Sequence, residues 1–183
     1  MTTTSTTQAS TRATAHRFVL DRLSTPIGTM LVVTDGEGCL RALDWEEYEA
    51  RMHRLMRLHY GKEGVVLDEG RAPAGVRSAI EAYFNGDLAA IEALPVATGG
   101  TVFQREVWAA LRAIPAGETL SYGALAKKIA RPAAVRAVGL ANGANPIGVV
   151  VPCHRVIGAD SALTGYAGGV ERKRWLLTHE GVS

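Results

Sequence analysis

The sequence predicts an α+β protein in two parts: a small N-terminal domain with a strand meander and helices to one side, then a mostly helical C-terminal domain with a helix-turn-helix and a cysteine loop. Three observations predict it. Short β-rich runs, broken by turns containing Gly, Pro and Asp, crowd into residues 17–67. From residue 103 onward, apolar residues recur with helical spacing. Between the two lies Leu94–Thr101, LPVATGGT, whose proline and glycines suit a connection between domains. The expected division is a disordered tail over 1–15, a first domain over 16–95, a linker over 96–101 and a second domain over 102–183.

Composition narrows the function classes. Hydrophobic content of 47% and charged content of 21% are ordinary for a globular chain. No apolar run approaches the roughly 20 residues of a membrane span, so no membrane partner is expected. Residues 1–15 are rich in Thr, Ser and Ala and lack an apolar core, which excludes a secretory signal and points to the cytoplasm. The cysteines are Cys39 and Cys153. A reducing compartment disfavours a disulfide between them, and Cys39, between Gly38 and Leu40, reads as a small core residue. No Cys or His cluster has metal spacing, and His53 and His59, six apart, do not share a helix face. The first 100 residues carry 10 basic and 13 acidic side chains, and the remaining 83 carry 10 and 5. A positive second half favours an anionic partner, nucleic acid first.

In chain order, Arg17–Leu23 alternates and reaches the turn Ser24–Gly28. Thr29–Thr34 is a second strand, Asp35–Gly38 a hairpin turn, and Cys39–Leu43 a third strand. Trp45–His59 places Tyr48, Met52, Leu55 and Met56 on one helical face. Val65–Leu67 is a short strand, and Ala74–Phe84 a helix stopped by Asn85-Gly86. No residue set here suggests chemistry; the domain reads as support.

Phe103–Ile114 is amphipathic through Phe103, Val107, Leu111 and Ile114, and Pro115-Ala116-Gly117 ends it. Ser121 is a good N-cap for a helix through Ala130, and a second helix follows from about Ala133 to Asn142. That pair is a helix-turn-helix candidate. Its second helix exposes Arg136 among Ala133, Ala134, Ala137, Gly139 and Ala141. Small residues permit the close approach a minor groove demands, with Arg136 as a probe. An Ala-rich helix packed on the core, with Arg136 merely solvated, is the equal alternative.

The second half turns on Val149–Val156, VVVPCHRV. Three valines read as a buried strand that Pro152 must end, leaving Cys153 at the lip of a cleft. A thiol near its reference pKa is only about 3% ionised at pH 7, so a nucleophilic Cys needs a base or a positive charge. His154 and Arg155 are the local candidates. Neighbours on a strand face opposite ways, so His154 serves Cys153 only if the backbone turns sharply or a water links them. A structural Cys flanked by accidental polar residues is the alternative. Asn142–Pro146 is a dense turn, and Asn145 is able to pin it. Val170–His179 is the last helix, with Glu180 at its end.

PCHRV at Pro152–Val156, NGANP at Asn142–Pro146, TGYAGG at Thr164–Gly169 and WLLTHEG at Trp175–Gly181 together resemble the O6-alkylguanine-DNA alkyltransferases, in particular the bacterial Ogt-type members. FQREVW at Phe103–Trp108 and SYGALA at Ser121–Ala126 fit the same pattern, and the resemblance covers roughly residues 17–181. It implies a suicide transfer of an alkyl group from O6 of a flipped-out guanine, or from O4-alkylthymine, in duplex DNA. Cys153 would be the acceptor. His154 would act as base through a water, oriented by Glu180, and Asn145 would hold the turn. Tyr122 would protonate the leaving guanine, and Arg136 would fill the vacated stack. Ser121, Tyr122, Ala133, Ala134 and Ala137 would contact DNA. Val156, Tyr166 and Ala167 would hold the base edge. Ala167 departs from the Ser of some members, which matters little to a backbone contact. The implied protein uses no cofactor and no metal and works as a monomer, with cooperative loading on DNA left open. Two other readings compete: a DNA-binding module with a structural Cys153, and a Cys-His hydrolase acting on acyl groups.

Overall fold

The computed structural model describes residues 14–183, so the tail expected over 1–15 lies outside the described residues but for its last two. Strands β1 (His16–Thr25), β2 (Gly28–Thr34) and β3 (Leu40–Trp45) form an antiparallel meander. A fourth strand, β4 (Val65–Glu69), lies parallel to β1 at the far edge, giving the order β3-β2-β1-β4. The run Met30–Thr34 is buried along its whole length because the sheet is covered on both faces. Leu31 and Val33 pack on Met52 and Met56 of helix α1 (Glu49–Tyr60), while Met30 and Val32 join the main core. The expected helix from Trp45 starts later. Trp45 is held in the ladder opposite Met30, and a short 3-10 turn, Glu46–Tyr48, separates it from α1. Helix α2 (Ala74–Phe84) points Val76, Ile80, Tyr83 and Phe84 into the core. Cys39 is only partly buried, against the core position expected of it, because it closes the hairpin turn through its N–H to Asp35.

The second part holds α3 (Val102–Arg112), α4 (Tyr122–Lys128), α5 (Val135–Gly143) and α6 (Val170–His179). A capping box starts α3: Thr101 accepts from the Gln104 N–H, and Gln104 accepts from the Thr101 N–H. The helix-turn-helix pair is α4 and α5. Ala133 and Ala134 lie in the turn before α5 rather than in the helix, because Ala130 takes a positive φ of 57° and Ala134 N–H closes a turn on Arg131 O.

The predicted strand at Val149–Val151 does not form. Val149 takes a φ of 69°, and Val151 N–H turns back to Ile147 O. The extended stretch comes later: β6 (Val156–Ile157) pairs in parallel with β5 (Leu120–Ser121). That ladder ties the start of α4 to the residues just beyond Cys153. The edge strand β3 holds the loop before the cysteine, through Leu43 N–H to Pro146 O at 2.9 Å and Gly148 N–H to Leu43 O at 3.0 Å. One hydrophobic core runs through both parts, from Met30 and Trp45 to Leu125, Val138 and Leu176, with Cys153 in it.

Candidate active site

Asn145 builds the cysteine turn. Its amide donates to Val151 O at 2.8 Å, and its carbonyl accepts from Ile147 N–H at 3.0 Å. Both bonds are buried, which outweighs the β preference of the three valines. Asn145→Ala should therefore lower stability by about 1–3 kcal/mol, since it leaves the buried Ile147 N–H unpaired and takes from Val151 O one of its two donors, the other being the Cys153 N–H at 2.8 Å. Thermal melting checks the loss, and a change below about 1 kcal/mol would deny Asn145 this role.

Residues Cys153–Arg155 form one 3-10 turn, so the backbone does bend sharply after Pro152. His154 is fully buried, and its Nε2 lies 2.9 Å from Glu180 Oε1. A carboxylate only accepts, so Nε2 carries the proton and Nδ1 is left as an acceptor without any partner. Glu180 is gripped from three more directions. Arg155 donates from Nε to Oε2 and from Nη2 to Oε1, both at 2.8 Å, and the Tyr83 hydroxyl donates to Oε1 at 2.7 Å. Burial alone would raise the Glu180 carboxyl, but the bonds from His154, Arg155 and Tyr83 prevail and hold it well below the usual carboxylate range. Burial pushes the His154 imidazolium down against the opposing pull of Glu180, and pushes the Cys153 thiol up against Asn145, Arg51 and Lys173. The resting pair is therefore a neutral thiol and a neutral imidazole. Arg155, expected beside the thiol as an activating charge, is instead committed to Glu180 and to Ile114 O.

Cys153 lies in the wall of a cavity of about 30 Å³ rather than at an open lip, and only 8% of it is exposed. That space holds a water, not a purine. The cavity is also lined by Asn142, Asn145, Tyr166 and Ala167, and from the first domain by Asp44, Trp45 and Arg51. The loop carrying Tyr166 packs closely: a Cβ on Gly168 would sit 2.7 Å from the Trp45 indole nitrogen. Arg172 clamps that loop, donating to Gly168 O at 3.1 Å and Ile27 O at 2.9 Å with its guanidinium 4.6 Å from the Trp45 ring centre. Lys173, fully buried, donates to Val156 O at 2.6 Å and to Thr164 O at 2.9 Å.

The structure thus brings Cys153, Asn145, Tyr166 and Ala167 to one cavity, and His154 to Glu180. Val156 does not line that cavity. Its N–H caps on Cys153 O and its carbonyl is already bonded to Lys173. Ser121, Tyr122, Ala133, Ala134, Arg136 and Ala137 lie apart from it, on the helix-turn-helix. Ser121 Oγ caps α4 by accepting from Ala124 N–H at 3.1 Å, and the Tyr122 ring lies against Gly139 of α5. The outer face of α5 exposes Val135, Arg136, Ala137, Leu140 and Gly143, with Lys127, Lys128 and Arg131 exposed beside it. Sequence reasoning missed Tyr83, Asp44, Trp45, Arg51 and Lys173, and gave Arg155 a different partner. The first domain, read as bare support, supplies Tyr83, Asp44, Trp45 and Arg51 to the site.

A buried cysteine followed in sequence by a buried His–Glu pair, in the same part of the chain as a helix-turn-helix with a basic flank, suits a protein that acts on DNA. Residues 102–182 match the family model described as 6-O-methylguanine DNA methyltransferase, DNA binding domain, and residues 21–98 match its ribonuclease-like domain. The chain belongs to this 6-O-methylguanine DNA methyltransferase family, and it is an enzyme of DNA repair by alkyl transfer. It is 54% identical to the methylated-DNA–protein-cysteine methyltransferase of Salmonella typhimurium over 165 residues, 90% of this chain and 96% of that one. The Haemophilus influenzae protein of the same name is 42% identical, over 85% of this chain and 82% of its own. The crystal structure of Mycobacterium tuberculosis OGT in complex with DNA superposes with a TM-score of 0.71 at 40% identity, covering 88% of this chain and 92% of that one. No helix among the described residues is long and apolar enough to cross a membrane, and no group of three or more His, Cys, Asp or Glu there is placed to hold a metal ion.

Proposed function

We propose that the protein carries the alkyl group of O6-alkylguanine, and of O4-alkylthymine, from duplex DNA onto Cys153, irreversibly and once per molecule. The observation that carries this reading is the buried His154, bonded to Glu180 through Nε2 and left with a free Nδ1, next in sequence to the cavity thiol. Nδ1 takes the thiol proton through a water. The sulfur attacks the alkyl carbon, an S–C bond forms as the C–O6 bond breaks, and the electron pair moves into the guanine ring. Tyr122 supplies the proton that lets neutral guanine leave. The thioether has no hydrolytic exit, so the protein is consumed.

A base inside a duplex is out of reach of a buried sulfur, so the nucleotide must rotate out, which costs a few kcal/mol. The outer face of α5 suits that rotation. Small residues allow minor-groove approach, Arg136 fills the vacated stack, and Lys127, Lys128 and Arg131 meet phosphates. Ser121, Ala133, Ala134 and Ala137 lie along the same backbone track. The cavity admits the base when the clamped loop of Tyr166 and Ala167 withdraws, and the carbonyl of Val156 keeps a second lone pair for the base edge. The protein works as a monomer, needs no cofactor, and a free nucleophilic thiol suits the reducing cytoplasm.

Titration of the protein with duplex bearing labelled O6-methylguanine tests this. Transfer should saturate at one methyl per chain. Release of label beyond one equivalent would mark a hydrolase and end the reading.

A further inference from the structure

The cavity beside Cys153 is too small for a base and its alkyl group, so one of its walls has to yield. Most of them are fixed. Leu43 and Asp44 stand in the β2–β3 ladder, Asn142 and Gly143 end α5, and Asn145 is bonded at both ends of its amide. The remaining wall, Gly165–Gly168, belongs to no helix or strand. A side chain of α6 straps it to the first domain. Arg172 donates from Nη1 to Gly168 O at 3.1 Å, from Nε to Ile27 O at 2.9 Å and from Nη2 to Glu47 Oε1 at 2.7 Å. Its guanidinium lies over the Trp45 ring, and its side chain is only 15% exposed. The first domain is shaped to seat it. Gly28 takes a φ of 122°, and a Cβ there would meet Arg172 Nη2 at 2.8 Å. A planar cation that bonds in three directions and stacks on an indole holds a loop far more stiffly than one surface ion pair.

We infer that Arg172, by holding the Gly165–Gly168 wall to the first domain, limits the size of the alkyl group that Cys153 accepts. This rests on the reading of Cys153 as alkyl acceptor. A methylated base displaces the wall least. Each added methylene needs room in a close-packed site, and the strap resists the further displacement. Without the strap the wall yields at lower cost, so large alkyl groups gain more than small ones.

The test compares two lesions on three proteins. Duplexes carrying O6-methylguanine or O6-butylguanine are reacted with wild-type protein, Arg172→Leu and Arg172→Lys, and the ratio of the two single-turnover rates is read for each. The intrinsic difference between methyl and butyl transfer is common to all three proteins and cancels when the ratios are compared. Arg172→Leu should narrow the methyl-to-butyl ratio by about tenfold, the worth of a charge-assisted hydrogen bond. Arg172→Lys keeps the charge but not the planar fork, and should recover part of the wild-type ratio. Partial unfolding lowers both rates together and leaves the ratio alone, so lost stability does not imitate the effect. A leucine variant with the wild-type ratio, a lysine variant that recovers none of the difference, or a folded leucine variant inert toward both lesions would overturn the role of Arg172. Wild-type protein that transfers from neither lesion would instead overturn the acceptor reading itself.

Discussion

Replacing Glu180 with glutamine should slow alkyl transfer by about a hundredfold to a thousandfold, the range lost with a positioned acid–base partner. The cause is the four donors that converge on this carboxylate: His154 Nε2, two nitrogens of Arg155 and the Tyr83 hydroxyl. A glutamine amide satisfies some of them and opposes others. If its NH₂ faces His154, the imidazole must present a lone pair at Nε2 and carry its proton on Nδ1. That is the wrong tautomer for accepting from the thiol. Duplex binding should hardly change, because Glu180 is buried, only 5% exposed, and its carboxylate is taken up by its own network. Stability should also fall, by about 3–5 kcal/mol, as the buried Arg155 charge loses its counter-ion. Rates are therefore compared at a temperature where circular dichroism shows both proteins folded. An unchanged rate would remove Glu180 from the reaction. The same group sets an acid limb. With its carboxyl held below the usual range, its stabilising contribution is complete above the unfolded carboxylate value and is lost as pH falls through the folded one. Glu180→Gln should flatten that part of the stability profile.

Cys153→Ser should abolish transfer while leaving affinity for lesion duplex within about twofold, since the phosphate contacts that dominate affinity lie elsewhere. A neutral imidazole draws an appreciable thiolate from a thiol whose ordinary pKa is near 8.5, whereas an alcohol is far less acidic, and its oxygen has no comparable softness toward an alkyl carbon. The variant should fold: serine is close in size, and the site is held by Asn145, Lys173 and the Glu180 network rather than by sulfur. Residual transfer at a measurable fraction of the wild-type rate would mean that another atom accepts the alkyl group.

The helices were legible wherever one apolar face meets one core. Both α2 and α6 run over the residues that their periodicity predicts, Ala74–Phe84 and Val170–His179. The candidate residues sit in short motifs, and the resemblance carried by PCHRV, NGANP and WLLTHEG singled out Cys153, Asn145 and Glu180. What the sequence hid was set by distant contacts. The valines before Cys153 carry every local sign of a strand, and the bonds from Asn145, with those from β3 to Pro146 and Gly148, turn them. Tyr83 sits 97 residues from Glu180, and as one of four buried positions in α2 it reads as plain core. Lys173 and Arg155 look like surface charges until the carbonyls and the carboxylate they serve are in place. A two-residue ladder such as Leu120–Ser121 with Val156–Ile157 leaves no periodic trace at all.

The most direct measurement is peptide mass spectrometry of the protein after one exposure to O6-methylguanine duplex, with the cysteines Cys39 and Cys153 resolved on separate fragments. The expected result is a single added methyl on the fragment that holds Cys153, at one per chain, with Cys39 unmodified. Methyl on Cys39, methyl spread over both, or methyl released to solvent with Cys153 unaltered would contradict the assignment of Cys153 as the acceptor.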